Sequence, residues 1–292
     1  MPVVAAGTAG YQGENASLAV RAALAAGFTH LHTAYDYYNL KAIGDGLRSV
    51  HRRSYFLSGM TAPCIHAAPP KRNVTSEAEC FALTYREASS MLAELFPSQS
   101  PNGSSYLDLL MLHGPSEVFG HEGGCSKLAC ALARAQWRAY ERLLREGTVR
   151  AIGVSNFCQS CLACLESIPA TNQVQLHVGQ GSADPGPGLI SYCAQRGIVV
   201  QSYEPLAGGA LATDPFCQAI GLKHNKSAAQ VALRWVLQRA PSLAVRAGAS
   251  RHLRQDLDLF DFELDGSDLL GLDARAGPAG EAGGRCSWGC TE

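Results

Sequence analysis

Short apolar runs alternate with longer amphipathic stretches along most of the chain. Val3–Ala6, His30–Ala34, Tyr55–Ser58, Leu107–Leu112, Ala151–Val154, Asn172–Leu176, Ile198–Gln201 and Leu243–Val245 are short runs bounded by Gly, Asn, Asp or Pro, which predicts strands. The stretches between them predict helices at Ala16–Ala26, Leu40–Leu47, Ser76–Leu95, Leu132–Arg145, Cys158–Ser167, Pro187–Arg196, Ser227–Gln238 and Ser250–Leu257. From Trp137, apolar residues recur at i+3, i+6 and i+7 (Tyr140, Leu143, Leu144), the spacing of one helix face. Val231–Leu237 is apolar on most sides, as expected of a helix packed hard on a sheet.

Repeated strand–helix pairs over ~260 residues predict an α/β fold, a closed (β/α)8 TIM barrel forming a single domain over residues 1–276. An open doubly wound sheet would want a glycine fingerprint after its first strand, and Gly7-Thr-Ala-Gly10 lacks that spacing. Residues 277–292 form a Gly-rich C-terminal tail. Thr61–Thr75 and Gly114–Lys127 are the longest irregular stretches, and both follow strands. In a barrel they would rim the C-terminal face, where active sites form.

Composition narrows the functional classes. Charged residues are 17% of the 292, below the ~25% of an average domain, and the formal net charge is −1. No basic stripe or acidic run stands out, which argues against nucleic acid and an electrostatic membrane anchor. No apolar run approaches the ~18 residues of a membrane span, and no signal peptide is visible, so a cytoplasmic protein is expected. The 11 cysteines, without an export signal, are expected to be small buried hydrophobes rather than a disulfide framework. Cys158, Cys161 and Cys164 share one predicted helix but lack the paired CxxC arrangement of structural zinc, so no metal site is expected.

His32, Met60, His113, Asn156, Gln173, Tyr203 and Arg246 all fall at or near predicted strand ends, which a barrel gathers around one mouth. Several stretches resemble, in order, the aldo-keto reductase family. They are Gly27–Asn39, Leu109–Pro115, Ile152–Phe157, Asn172–Gln175, Ser202–Leu206, Ala228–Trp235 and Phe260–Leu264, the last two resembling the family's final helices. The resemblance covers nearly the whole chain. It implies a (β/α)8 barrel that binds NADPH (NADP) and reduces the carbonyl of a small-molecule aldehyde or ketone to an alcohol.

The family's active site holds an Asp, a Tyr, a Lys and a His. The resemblance places Tyr37 at the Tyr, His113 at the His, His32 at the Asp and Met60 at the Lys. In the family the Tyr protonates the carbonyl oxygen, and the Lys, paired to the Asp, lowers its pKa. Both members of that pair are changed here. Without the Lys, Tyr37 is expected nearer its ordinary ~10, and a protonated His32 would restore part of the positive field. On the cofactor side, Ser155, Asn156 and Gln173 match the carboxamide-binding residues, Tyr203 matches the ring that stacks on nicotinamide, and Leu206 follows in the same motif. Arg246 is the expected fork for a 2′-phosphate, with Arg251 and Arg254 nearby and Asp256 adding a negative charge near adenine. Two other functions remain open. One is a non-redox acid/base enzyme (lyase, dehydratase or isomerase) using Tyr37, His113 and His32. The other is a catalytically silent nucleotide-binding barrel. A monomer with no nucleic-acid or membrane partner is expected, although the silent barrel could bind a protein partner in place of a nucleotide.

Overall fold

A computed structural model describes residues 1–66, 71–97, 105–116, 125–179, 188–246 and 250–275. The tail after residue 276, with Cys286 and Cys290, lies outside the described residues, as does Ala247. The barrel strands are β1 (Val4–Gly7), β2 (His30–His32), β3 (Phe56–Thr61), β4 (Leu109–Leu112), β5 (Ile152–Ser155), β6 (Thr171–Gln175), β7 (Val199–Tyr203) and β8 (Ser242–Val245). Each pairs in parallel with its sequence neighbours, and β1 pairs with β8 to close the barrel. A two-residue ladder, Ile65–His66 against Arg72–Asn73, sits beyond β3.

Helices α1 (Gly13–Ala26), α2 (Leu40–Leu47), α3 (Glu77–Leu95), α4 (Lys127–Arg145), α5 (Gln159–Leu162), α6 (Leu189–Gln195), α7 (Pro215–His224), α8 (Ala228–Leu237), α9 (Ser250–Gln255) and α10 (Gly266–Asp273) follow the chain. Their ends carry ordinary stop and start chemistry. Ser76, Ser126 and Ser227 cap α3, α4 and α8 through their side-chain oxygens, and Gly27 closes α1 at φ 105°, a left-handed geometry that favours glycine. The apolar face of α4 buries Trp137, Tyr140 and Leu143, and Trp235 of α8 is likewise buried in the main core.

Three expectations change. The helix expected over Cys158–Ser167 is one turn, Gln159–Leu162. Phe260–Leu264 is not helical; it leads into α10. The cysteines are not simply buried hydrophobes: Cys64–Cys80, Cys125–Cys161 and Cys130–Cys164 are paired. These contacts are tertiary and join cysteines at least 16 residues apart, so local spacing carries no signal for them.

Near the start of β4 a buried ion pair ties three segments together. Arg52 donates to Asp108 Oδ2 at 2.5 Å, to the Tyr106 carbonyl and to the Tyr55 carbonyl. Asp108 Oδ2 also accepts the Leu57 backbone N–H at 2.9 Å. Asp108→Ala strands a guanidinium that is only 2% exposed, so it is expected to cost about 3–5 kcal/mol. Urea unfolding of the variant beside the wild type measures this.

Candidate active site

The C-terminal mouth of the barrel opens into a cavity of about 530 Å³. Its lining includes His32, Tyr37 and His113, and, from the later strands, Ser155, Asn156, Gln173, Tyr203, Leu206 and Arg246. The parallel register explains the gathering: His32 ends β2, His113 follows β4, Ser155 ends β5 with Asn156 next after it, Gln173 lies in β6 and Tyr203 ends β7. Tyr37 comes from the one-turn helix Tyr35–Tyr37, and its ring meets that of His113 edge-on with centroids 5.9 Å apart.

Met60 is not brought to the cavity lining. It is fully buried with Ala34, Leu109 and Met111, and Tyr37 packs against this cluster. A thioether thus fills the space beside the Tyr37 ring with apolar contact.

His32 is fixed by a relay of hydrogen bonds. His30 is buried, which pushes its pKa down to about 4 and leaves it neutral. Its Nδ1 faces the Pro2 carbonyl, an acceptor only, at 3.2 Å and therefore carries the hydrogen. His30 Nε2 then accepts from Ser58 Oγ at 2.9 Å, and Ser58 Oγ in turn accepts from His32 Nδ1 at 3.0 Å. The lone pair is left on His32 Nε2, a buried atom without a hydrogen-bond partner among the described residues. Burial, then the nearby His30 and His113, push the His32 pKa down to about 3. His32 is accordingly a neutral acceptor at neutral pH. The expected cationic substitute for lysine is corrected, because a charge at a fully enclosed position carries a large desolvation cost.

Tyr37 departs from expectation in the same way. Burial raises its pKa above the ordinary tyrosine value, and the Asp36 carboxylate pushes it further. Asp36 is a residue that sequence reasoning passed over. It accepts a hydrogen bond from His113 Nδ1 at 3.0 Å. Burial pushes the Asp36 carboxyl up, but the hydrogen bond and charge of His113 outweigh it and hold the group below the usual range. The only signal in the sequence was its position beside Tyr37.

The far end of the cavity is polar and pre-arranged. Asn156 sits at φ 59°, a left-handed geometry that asparagine tolerates. Its amide donates to the His113 carbonyl at 2.9 Å, and its oxygen accepts from the Tyr203 hydroxyl at 2.9 Å. Ser155 Oγ donates to the Gln173 carbonyl at 2.8 Å, and the Gln173 amide donates to Gln201 at 2.6 Å. Arg246 lays its guanidinium over the Tyr11 ring at 4.7 Å, a contact sequence reasoning did not foresee. Gly208 and Gly209 also line the cavity at positive φ, and a Cβ at either would meet open space. Arg251 and Arg254 are exposed on α9. Asp256 is buried, and burial raises its carboxyl to about 7, so the full surface charge expected there is corrected.

A family model described as the aldo/keto reductase family matches residues 4–275. The chain belongs to the aldo/keto reductase family. An uncharacterized oxidoreductase of Bacillus subtilis, YtbE, is 31% identical over 275 residues, covering 89% of this chain and 85% of that protein. The glyoxal reductase of Bacillus subtilis is 31% identical over 277 residues, covering 91% and 87%. Among solved structures, an aldo/keto reductase from Brucella melitensis superposes with a TM-score of 0.74 at 28% identity, covering 94% of each chain. Within this aldo/keto reductase, the barrel mouth described above is the candidate active site.

Proposed function

We propose that this aldo/keto reductase uses NADPH to reduce the carbonyl of a small aldehyde or ketone to an alcohol. The single observation that carries the reading is one continuous cavity with Tyr37 and His113 among its walls and Asn156, Gln173, Tyr203, Leu206 and Arg246 among the others. That donor set fits the cofactor. The Gln173 amide oxygen and second N–H offer the acceptor and donor that a carboxamide needs, Asn156 and Ser155 hold that corner of the cavity polar, Tyr203 offers a flat ring, and Arg246 offers a fork for phosphate. Bound there, NADPH would supply the hydride.

The chain's own residues handle the oxygen and the proton. Tyr37 holds the hydroxyl proton that passes to the carbonyl oxygen as charge develops on it. His113, anchored through Nδ1 to Asp36, orients that oxygen from the other side. His32 stays neutral and accepts, and Met60 packs the flank of Tyr37 with no charge. The active site therefore works with a tetrad altered at two of its four positions, without a cation to pull the tyrosine pKa down. We further read the protein as a cytoplasmic monomer with no nucleic-acid or membrane partner. No helix among the described residues is long and apolar enough to cross a membrane.

One observation favours a second reading. Tyr37 and the His113–Asp36 pair, with His32 Nε2 as a neutral acceptor in the same cavity, make a proton-transfer set that needs no hydride. NADPH titration by fluorescence, followed by turnover with a reactive aldehyde, separates the readings. Micromolar binding and NADPH consumption are expected. Absence of binding would favour the non-redox enzyme, and binding without turnover the silent nucleotide-binding barrel.

A further inference from the structure

The pairs Cys125–Cys161 and Cys130–Cys164 lie side by side. Both join the start of α4 to the short α5 turn, with Cα separations of 4.9 and 5.3 Å. The sulfurs of Cys125, Cys130 and Cys164 all lie within 4.8 Å of one another, although Cys125 belongs to a different pair from the other two. Cys161 is bonded to Cys125, although its own sulfur is not within that distance of all three. A tetrahedral thiolate site with Zn–S bonds of about 2.3 Å has sulfurs about 3.8 Å apart, so on reduction the two sulfurs of each pair must move apart while sulfurs of different pairs close in, Cys161 moving furthest.

The sequence pattern agrees once the fold has supplied the second pair. Cys161-Leu-Ala-Cys164 is a CxxC, and Cys125 and Cys130 are separated by four residues, within the spacing that structural zinc sites use. Read along the chain, Cys161 and Cys164 had no partner pair; α4 brings it from more than thirty residues upstream. Two further features favour thiolates here. Cys125 and Cys130 flank the first turn of a 19-residue helix, whose N-terminus stabilises negative charge, and Lys127 lies in that turn. The Cys125 backbone N–H donates to Ser160 Oγ at 3.1 Å, which fastens the two segments independently of sulfur.

We propose that Cys125, Cys130, Cys161 and Cys164 form a four-thiolate zinc site in the reduced protein. The disulfide pairs are the oxidised state of the same sulfurs. Each disulfide takes up two electrons and two protons from a dithiol reductant to become two thiols. Zinc then binds the four sulfurs as thiolates and releases four protons. The site is structural, because all four positions are filled by protein sulfur and none is left for substrate. It ties the connection after β4, which carries His113, to the connection after β5, which carries Asn156. The inference does not depend on the proposed reductase chemistry.

The test uses the full chain purified under a phosphine reductant, with metal content read by plasma mass spectrometry. One zinc per chain is expected. Replacing it with cobalt(II) is expected to give intense near-ultraviolet thiolate charge transfer and the strong visible bands of a tetrahedral site. The double variant Cys130→Ser/Cys164→Ser is expected to lose the metal and the cobalt bands, and Cys217→Ser to keep both. The wild-type stoichiometry and spectrum decide the matter even where a variant misfolds. Substoichiometric zinc in the reduced protein would overturn the proposal. So would zinc retained by a folded double variant, iron with acid-labile sulfide in its place, or peptide maps in which both disulfides persist in glutathione buffer with zinc.

Discussion

Tyr37→Phe is expected to lower kcat for carbonyl reduction by about 10²–10⁴-fold, the usual worth of a positioned general acid. The phenol is half-buried, faces the same cavity as His113, and its pKa is raised by desolvation and by Asp36. A hydroxyl with a raised pKa keeps its proton until an oxygen of higher basicity forms beside it. The alkoxide produced by hydride addition is such an oxygen. The phenylalanine variant keeps the apolar contact with the Met60 cluster, so folding and NADPH affinity are expected to change little. Single-turnover oxidation of bound NADPH, after a binding titration on the same sample, measures both. Retained turnover in Tyr37→Phe, with loss in His113→Ala, would move the proton donor to the His113–Asp36 pair.

Restoring the missing ion pair is expected to have the next largest effect. Met60→Lys alone places an ammonium among Ala34, Leu109 and Met111 with no carboxylate opposite, so stability falls and little rate is gained. His32→Asp alone breaks the bond to Ser58 Oγ and buries an unpaired carboxylate. The double change His32→Asp/Met60→Lys re-forms the pair and puts a cation beside the Tyr37 hydroxyl, which lowers its pKa. The double variant is expected to reduce a reactive aldehyde about 10-fold or more faster than the wild type, and far faster than either single, because the two sites couple. A folded, NADPH-binding double variant no faster than wild type would mean that the cation is not what limits the rate.

Much of the fold was legible because a barrel strand is a short apolar run bounded by turn residues, with a polar residue at or near its end. His32, His113, Asn156, Gln173 and Tyr203 were all visible as such ends, and the closed ladder gathers them at one cavity. What was not legible is what depends on tertiary surroundings. The protonation of His32 is set by a relay through Ser58 to His30 and by full burial, neither of which has a local signature. Asp36 acts on His113 from 77 positions away. Helices α7 and α10 went unseen because α7 follows directly on a glycine-rich turn and α10 is short and lies beyond the last strand–helix pair. Met60 matches the family's lysine position, and its thioether is fully buried in the cluster with Ala34, Leu109 and Met111 against which Tyr37 packs.

The proposed reduction requires hydride to reach a carbonyl in the cavity shared by Tyr37 and His113. Incubation with NADPH deuterated at the transferable position and a reactive aldehyde, followed by mass spectrometry of the product, tests it directly. One deuterium on the carbinol carbon is the expected result, in yield matching NADPH consumed. Bound cofactor with no deuterium in any product, across a panel of reactive aldehydes and ketones, would contradict it.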